Sequence, residues 1–277
     1  MSYMNKLSTA ERTQIIRCLV EGNSINSTCR ITGRSKHTVL NLLVDIGEAC
    51  AKYHDEHVRG LTCKRVQVDE LWGYCHCKQK NVPVEKRGQF GVGDVWTWTA
   101  VDADSKLIVS YLAGLRDGGY ATEFVRDIAS RLTNRIQLTS DGHRAYLDAV
   151  EDAFGGDIDY AQLIKIYGAT APGEARYSPA ACTGIKLNPI TGNPEEKHIS
   201  TSFVERQNLT MRMAMRRFTR LTNGFSKKIE NMMHAVALNF MHYNFCRIHQ
   251  TIRVTPAMEA GLTDHVWEIK ELLELLK

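Results

Sequence analysis

Three acidic residues fall where a carboxylate can do chemistry. Asp69 follows Val66 and Val68 in Arg65-Val66-Gln67-Val68-Asp69-Glu70-Leu71-Trp72. The alternation there predicts a half-buried strand, with Asp69 directed away from the two valines. Asp141 closes a second short run, Ile136-Gln137-Leu138-Thr139-Ser140, and precedes Gly142. Glu205 lies near the start of a basic helical stretch, Ser202-Phe203-Val204-Glu205-Arg206-Gln207-Asn208. A carboxylate on a rigid strand or helix can ligate a metal or act as a general base. Each also has a purely structural role open to it. Asp69 can end a strand, Asp141-Gly142 can form a turn, and Ser202 with Glu205 has the spacing of a capping box. Asp, Asp and Glu on strand, strand and helix form a more specific combination than any one of them.

The elements that must position these acids follow from the periodicity. Val95 to Val101 and Lys106 to Leu112 flank a turn at Asp102-Ala103-Asp104-Ser105 and predict a β-hairpin, which gives Asp102 a structural reason to be acidic. Ala121 to Leu132 has helical spacing, a helix follows Asp141, and Tyr160 to Tyr167 supplies another strand. This order predicts a mixed α/β sheet flanked by helices. From Gly168 to Ser200 the pattern dissolves and four of the six prolines occur, so residues 168–200 are expected to be a surface insertion. Glu195 and Glu196 within it are weaker rivals to Glu205. From Phe203 one continuous helix is expected, with Glu205, Arg212, Arg216 and Arg220 within about 80° on one side and Phe203, Val204, Met211, Met215 and Phe218 as core opposite. A second helix is expected from Phe225 to Ile248. Residues 206–228 contain seven Lys or Arg and no Asp or Glu, which suits a phosphate backbone or, more plainly, a solvated face.

At the N-terminus, Ser8 and Glu11 form a capping box ahead of a helix ending near Gly22, Ile25 to Arg30 forms a short helix, and Ser35 caps a third helix running to about Ile46. Short helix, glycine turn and capped helix make a helix-turn-helix pattern, with Ser35, Lys36, Thr38 and Asn41 exposed where such helices meet DNA. A three-helix bundle for protein contacts fits the same pattern. A polar linker helix is expected over residues 50–62. With 277 residues the chain divides naturally into residues 1–60, a larger domain over 61–256, and a C-terminal helix over 257–277. A 43% hydrophobic content allows a sizeable core, and the polar first residues lack a signal-peptide apolar stretch. No membrane span is expected, and eight scattered cysteines suit a reducing cytoplasm. Cys75-His76-Cys77 lacks the further paired ligands that a zinc site needs. The net charge of +4 identifies no nucleic-acid binder by itself.

Val68-Asp69-Glu70-Leu71-Trp72, Ser140-Asp141-Gly142-His143-Arg144-Ala145-Tyr146 and Val204-Glu205-Arg206-Gln207-Asn208-Leu209-Thr210-Met211-Arg212 resemble the DDE transposases and, within them, the insertion-sequence-1 family. The tail Tyr243-Asn244-Phe245-Cys246-Arg247-Ile248-His249-Gln250, followed by Thr255-Pro256, adds to the resemblance, which spans roughly residues 65–256. It implies an RNase H-like fold behind the helix-turn-helix domain. It further implies catalytic, metal-binding Asp69, Asp141 and Glu205, and two Mg2+ (or Mn2+) ions about 4 Å apart that serve in-line displacement at phosphorus. The activity implied is cleavage at transposon ends and transfer of the freed strand to target DNA. Ser35, Lys36, Thr38 and Asn41 would then select the end, while Arg206, Arg212, Arg216, Arg217 and Arg220 would contact DNA phosphates. A homo-oligomer assembled on DNA, associated with a prokaryotic nucleoid, is implied as well. Two other readings share these residues: an inactive DNA-binding regulator that keeps a nuclease-like fold, and a metal-dependent nuclease without strand transfer. The long segment between Asp141 and Glu205 departs from the pattern.

Overall fold

The computed structural model describes residues 7–168, 181–219 and 222–277. Expectations for Arg220 lie outside the described residues, as does the middle of the 168–200 segment. Three helices open the chain, and each start has a side-chain cap. The Ser8 hydroxyl accepts from the Glu11 amide and the Glu11 carboxylate accepts from the Ser8 amide, starting α1 (Thr9–Val20). Ser24 caps α2 (Ile25–Thr32), which stops at Gly33 with φ +68°, a conformation that glycine adopts without steric cost. Ser35 caps α3 (Lys36–His57), whose 22 residues run unbroken, so the expected linker helix is the second half of α3. Gly47 sits inside α3 because a neighbouring backbone leaves no room: a Cβ there would lie 2.4 Å from Cβ of His234. The other end of α3 is closed by buried Arg131, which donates to the His54 and Val58 carbonyls and pairs with Asp55 and Asp127.

The sheet has the order β3-β2-β1-β4-β5-β6. β1 (Arg65–Cys75), β2 (Gly93–Asp102) and β3 (Ile108–Gly114) form an antiparallel meander. β4 (Gln137–Ser140) and β5 (Asp159–Tyr167) then add in parallel beyond β1, through crossover helices α4 (Gly118–Arg131) and α5 (Ala145–Phe154). The sixth strand, β6 (Cys182–Thr191), pairs antiparallel with β5 at the edge. Part of the segment read as irregular is therefore a strand. Pro189 is tolerated there because an edge strand has one side without ladder bonds, and the register shifts next to it. On one face Trp98 packs with Phe124 of α4 and Tyr146 of α5, and all three are fully buried.

The other face carries α6 (Ser202–Ala214). This helix ends at Met215, where the backbone turns extended, and a single 3-10 turn follows at Arg216–Phe218. The continuous helix expected through Arg220 is thus broken, and the turn lays Phe218 over Gly73 of β1, where a Cβ would come within 3.1 Å of the ring. After it, α7 (Ile229–Met241) packs across α3 and passes into a π turn at His242–Cys246, shorter than the helix expected from Phe225. Buried Asn244 in that turn accepts from the Ile108 amide and donates to the Ile108 carbonyl, pinning the tail to β3. Residues 257–277, expected as one helix, instead contain α8 (Pro256–Glu259), stopped near Gly261 at φ +73°, and α9 (Ile269–Glu274). No helix among the described residues is long and apolar enough to cross a membrane.

Candidate active site

β1 is the element on which the site is built. Its pairing with β4 stops at Gln67–Thr139, and β4 itself ends at Ser140, so beyond that point β1 is paired on its β2 side only and its other side is open. Strand alternation sends Asp69 and Glu70 to opposite faces: Asp69 towards α6, and Glu70 towards Arg116 and Tyr146. At the open edge they nonetheless converge. One carboxylate oxygen from each of Asp69, Glu70 and Asp141 lies within 4.8 Å of the other two, and among the described residues this is the group placed to hold a metal ion. Asp69 does not end its strand, which continues six residues further to Cys75.

Each acid is held by a specific neighbour. Asp69 Oδ2 accepts from Asn208 Nδ2 of α6 at 2.7 Å. Gln67, two residues earlier on the same face, accepts from the Phe203 and Val204 amides at 2.8 and 3.2 Å and so anchors the N-terminus of α6 on β1. Asp141 has the turn role open to it, Oδ1 accepting from the His143 amide at 2.8 Å, while Oδ2 meets Arg116 at 3.3 Å. Arg116 also donates to Glu70 at 3.0 Å, and the buried Tyr146 hydroxyl lies against the same carboxylate. Glu205 is not a cap. Its oxygens accept from Lys165 of β5 at 2.6 and 2.5 Å and from the Thr201 hydroxyl at 2.5 Å.

Asp69, Arg116, Asp141, His143, Lys165 and Glu205 line one open cleft of about 740 Å³. Four carboxylates, counting Glu70, have two directly paired cations, Arg116 and Lys165. The imbalance shows in the acids. Burial first, and the charge of Asp141 next, push Asp69 up to about 6 and Glu70 up to about 7. An open cleft in which carboxylates outnumber the cations paired with them suits a small hard cation.

The remaining expected site residues are spread elsewhere. Arg212 is half-buried on the Glu205 side of α6, two turns further on. Arg216 and Arg217 follow the break in the helix, so they do not share a wall with Glu205. Both line a groove of about 350 Å³ with Lys36, Phe225, Lys227 and Lys228, beside the start of α3. Arg217 is tied down there, half-buried and donating to Ser226 at 2.7 Å, and burial pushes it down to about 10. Lys36 and Asn41 are exposed; Asn41 contacts His37, and Ser35 and Thr38 bond to each other at the cap. Arg206 points away from the cleft into a separate groove. Asp102 accepts from the Ser105 amide and hydroxyl, as its turn role predicts, and Glu195 pairs with Lys197 at the surface. Reading the sequence missed Glu70, Arg116, Lys165 and Asn208. Only Asn208 carried a usable signal, its position three residues after Glu205 on the same helical side.

No protein-family model matches the chain, and no curated protein matches it in sequence. Similar solved structures are transposases. The piggyBac transposase synaptic complex with hairpin DNA is matched over 100% of this chain and 72% of that one, at 11% identity and a TM-score of 0.41. The Mos1 transposase paired-end complex with left transposon end is matched over 55% and 59%, at 13% identity and 0.22. The Mos1 strand transfer complex is matched over 87% and 77%, at 11% identity and 0.25. These are loose superpositions at low identity.

Proposed function

We propose that the chain is a DDE-type transposase with an RNase H-like core, of the kind its motifs resemble, cutting DNA at element ends and transferring the strand with divalent cations. The observation that carries this reading is the convergence of Asp69, Glu70 and Asp141 within 4.8 Å where β1 runs past the end of β4. An all-carboxylate donor set fits Mg2+ or Mn2+ better than a softer metal, and the raised pKa values of Asp69 and Glu70 reflect buried charge that such an ion would offset. Bound there, such ions would supply the charge that makes a water or 3′-hydroxyl nucleophilic and stabilises the leaving oxygen.

The protein's own contribution is placement. Asn208 fixes the rotamer of Asp69, and the His143 amide fixes Asp141. Glu205 is the further acid of the same cleft, and Arg116 and Lys165 stand where a scissile phosphate would need cationic donors. Arg212 extends that wall. Duplex ends would be gripped away from the chemistry, where Lys36, Arg216, Lys227 and Lys228 line one groove beside Ser35, Thr38 and Asn41.

The test uses the purified full chain on labelled duplexes taken from DNA flanking its coding sequence. Cleavage should require Mg2+ or Mn2+, and Asp69→Asn and Asp141→Asn should each lower it by about 1,000-fold with duplex binding intact. Wild-type cleavage by Asp69→Asn would end the reading.

A further inference from the structure

α6 has a second working face. At 100° per residue Thr201, Glu205 and Asn208 lie together, and Phe203, Arg206, Gln207 and Thr210 lie on the opposite side. That opposite side, expected from sequence to bury Phe203 as core, walls a groove of about 590 Å³. The turn bearing Lys106 and the tail bearing Arg247 and His249 complete it.

Four observations point to what the groove holds. First, the permanently charged residues that line it, Lys106, Arg206 and Arg247, are all cations. Second, Phe203 keeps 40% of its surface exposed, while the Lys106 ammonium sits 3.6 Å from the ring centroid and holds it in place. Third, Gln207 is only 3% exposed, and its amide nitrogen is a buried donor with no partner in the groove wall. Fourth, the tail is a rigid support. Asn244 anchors it to β3, and His249 and Arg253 close a turn in which the His249 Nδ1 accepts from the Thr251 amide at 3.3 Å.

Cations along a concave wall, an aromatic face and an unused donor match a sugar–phosphate strand whose bases are unpaired. A duplex hides its base faces, so an aromatic platform gains nothing from it, whereas each unpaired base can stack. We propose that this groove binds an unpaired DNA strand, with phosphates against Arg206 and Arg247, a base against Phe203, and Gln207 donating to the backbone. The choice of DNA rests on the reading of the cleft; the strand-binding chemistry does not. Placed across one helix from the acids, the groove would hold the single strand that cutting or end-opening releases.

The full chain is tested in EDTA, so that the cleft takes no part. Binding of a labelled single strand of about fifteen nucleotides and of its duplex is followed by fluorescence anisotropy over a range of salt. In Arg206→Gln/Arg247→Gln, single-strand affinity should fall at least about tenfold and the log–log salt slope should flatten by about 1.4, two contacts' worth, with duplex affinity changed by less than about twofold. Phe203→Leu should weaken single-strand binding by about tenfold with the slope unchanged. Photocrosslinking of a 5-iodouracil strand to the unmodified protein needs no variant and should label residues 203–210 or 243–251. Crosslinks found only elsewhere, or wild-type strand binding by the double variant, would overturn the proposal. Equal losses for strand and duplex would overturn it too. An inactive cleft with strand binding intact would remove the cleavage reading and leave this one standing.

Discussion

The two faces of α6 solve opposite electrostatic problems a helix diameter apart. On the Asp69 side the acids outnumber their paired cations, and burial first, then the charge of Asp141, pushes Asp69 and neighbouring Glu70 up to about 6 and 7. On the other, the permanently charged residues, Arg206, Arg247 and Lys106, are all cations. The first arrangement waits for a small cation and the second for a polyanion. A single helix, with Gln67 at its N-terminus and Asn208 on Asp69, keeps the two fields in fixed relation. Affinity for DNA and capacity for chemistry should therefore be separable by substitution.

The sharpest way to break this contrast is at Glu70. Glu70→Gln keeps an acceptor for Arg116 but removes a charge from the acidic group, and cleavage should fall by at least about 100-fold while single-strand binding in EDTA is unchanged. Cleavage at the wild-type rate would return Glu70 to a buried structural role.

A second, smaller effect is on stability. Both acids have folded-state pKa values raised above their ordinary values of 3.8 and 4.5. Each is accommodated fully when protonated, and its contribution is lost as pH rises through about 6 for Asp69 and about 7 for Glu70. One unit of such a shift corresponds to about 1.4 kcal/mol, so without divalent cations the Tm should drop by several degrees between mildly acid and mildly alkaline pH. Millimolar Mg2+ or Mn2+ should restore it on the alkaline side only, as differential scanning fluorimetry can show. A Tm that rises with pH in EDTA would contradict the charge imbalance.

The smallest expected effect concerns Glu205, whose two oxygens are engaged by Lys165. If Glu205 also takes part in holding a cation, Lys165→Met should tighten Mn2+ affinity by about threefold in calorimetry, because a competing charge is removed. Unchanged affinity would confine Glu205 to its pairing with Lys165.

Much of this was legible in the residues. Caps at Ser8 and Ser35 fix where two of the helices begin, and the hairpin around Asp102 and the strand leading to Asp141 follow from local alternation. Glu70 was not legible, because strand alternation sends neighbours apart and only the separation of β1 from β4 beyond Gln67 lets it rejoin Asp69. The end of α6 was hidden for a related reason. Met211, Met215 and Phe218 keep helical spacing through the break, and the turn is decided by Gly73, a β1 residue far away in sequence. β6 was masked by Gly184 and Pro189, which read as loop but are acceptable at a sheet edge.

α3 leaves one consequence. Its 22 residues at about 1.5 Å each make a strut of about 33 Å, close to one turn of B-form DNA, running from Lys36 to the buried contact of His54 with the Ile108 carbonyl. Clamped by Gly47 against α7 and by Arg131 at its end, the strut has no hinge. Were DNA held at the Lys36 end, α3 would set a fixed gauge length between that grip and the sheet, indifferent to the sequence lying between.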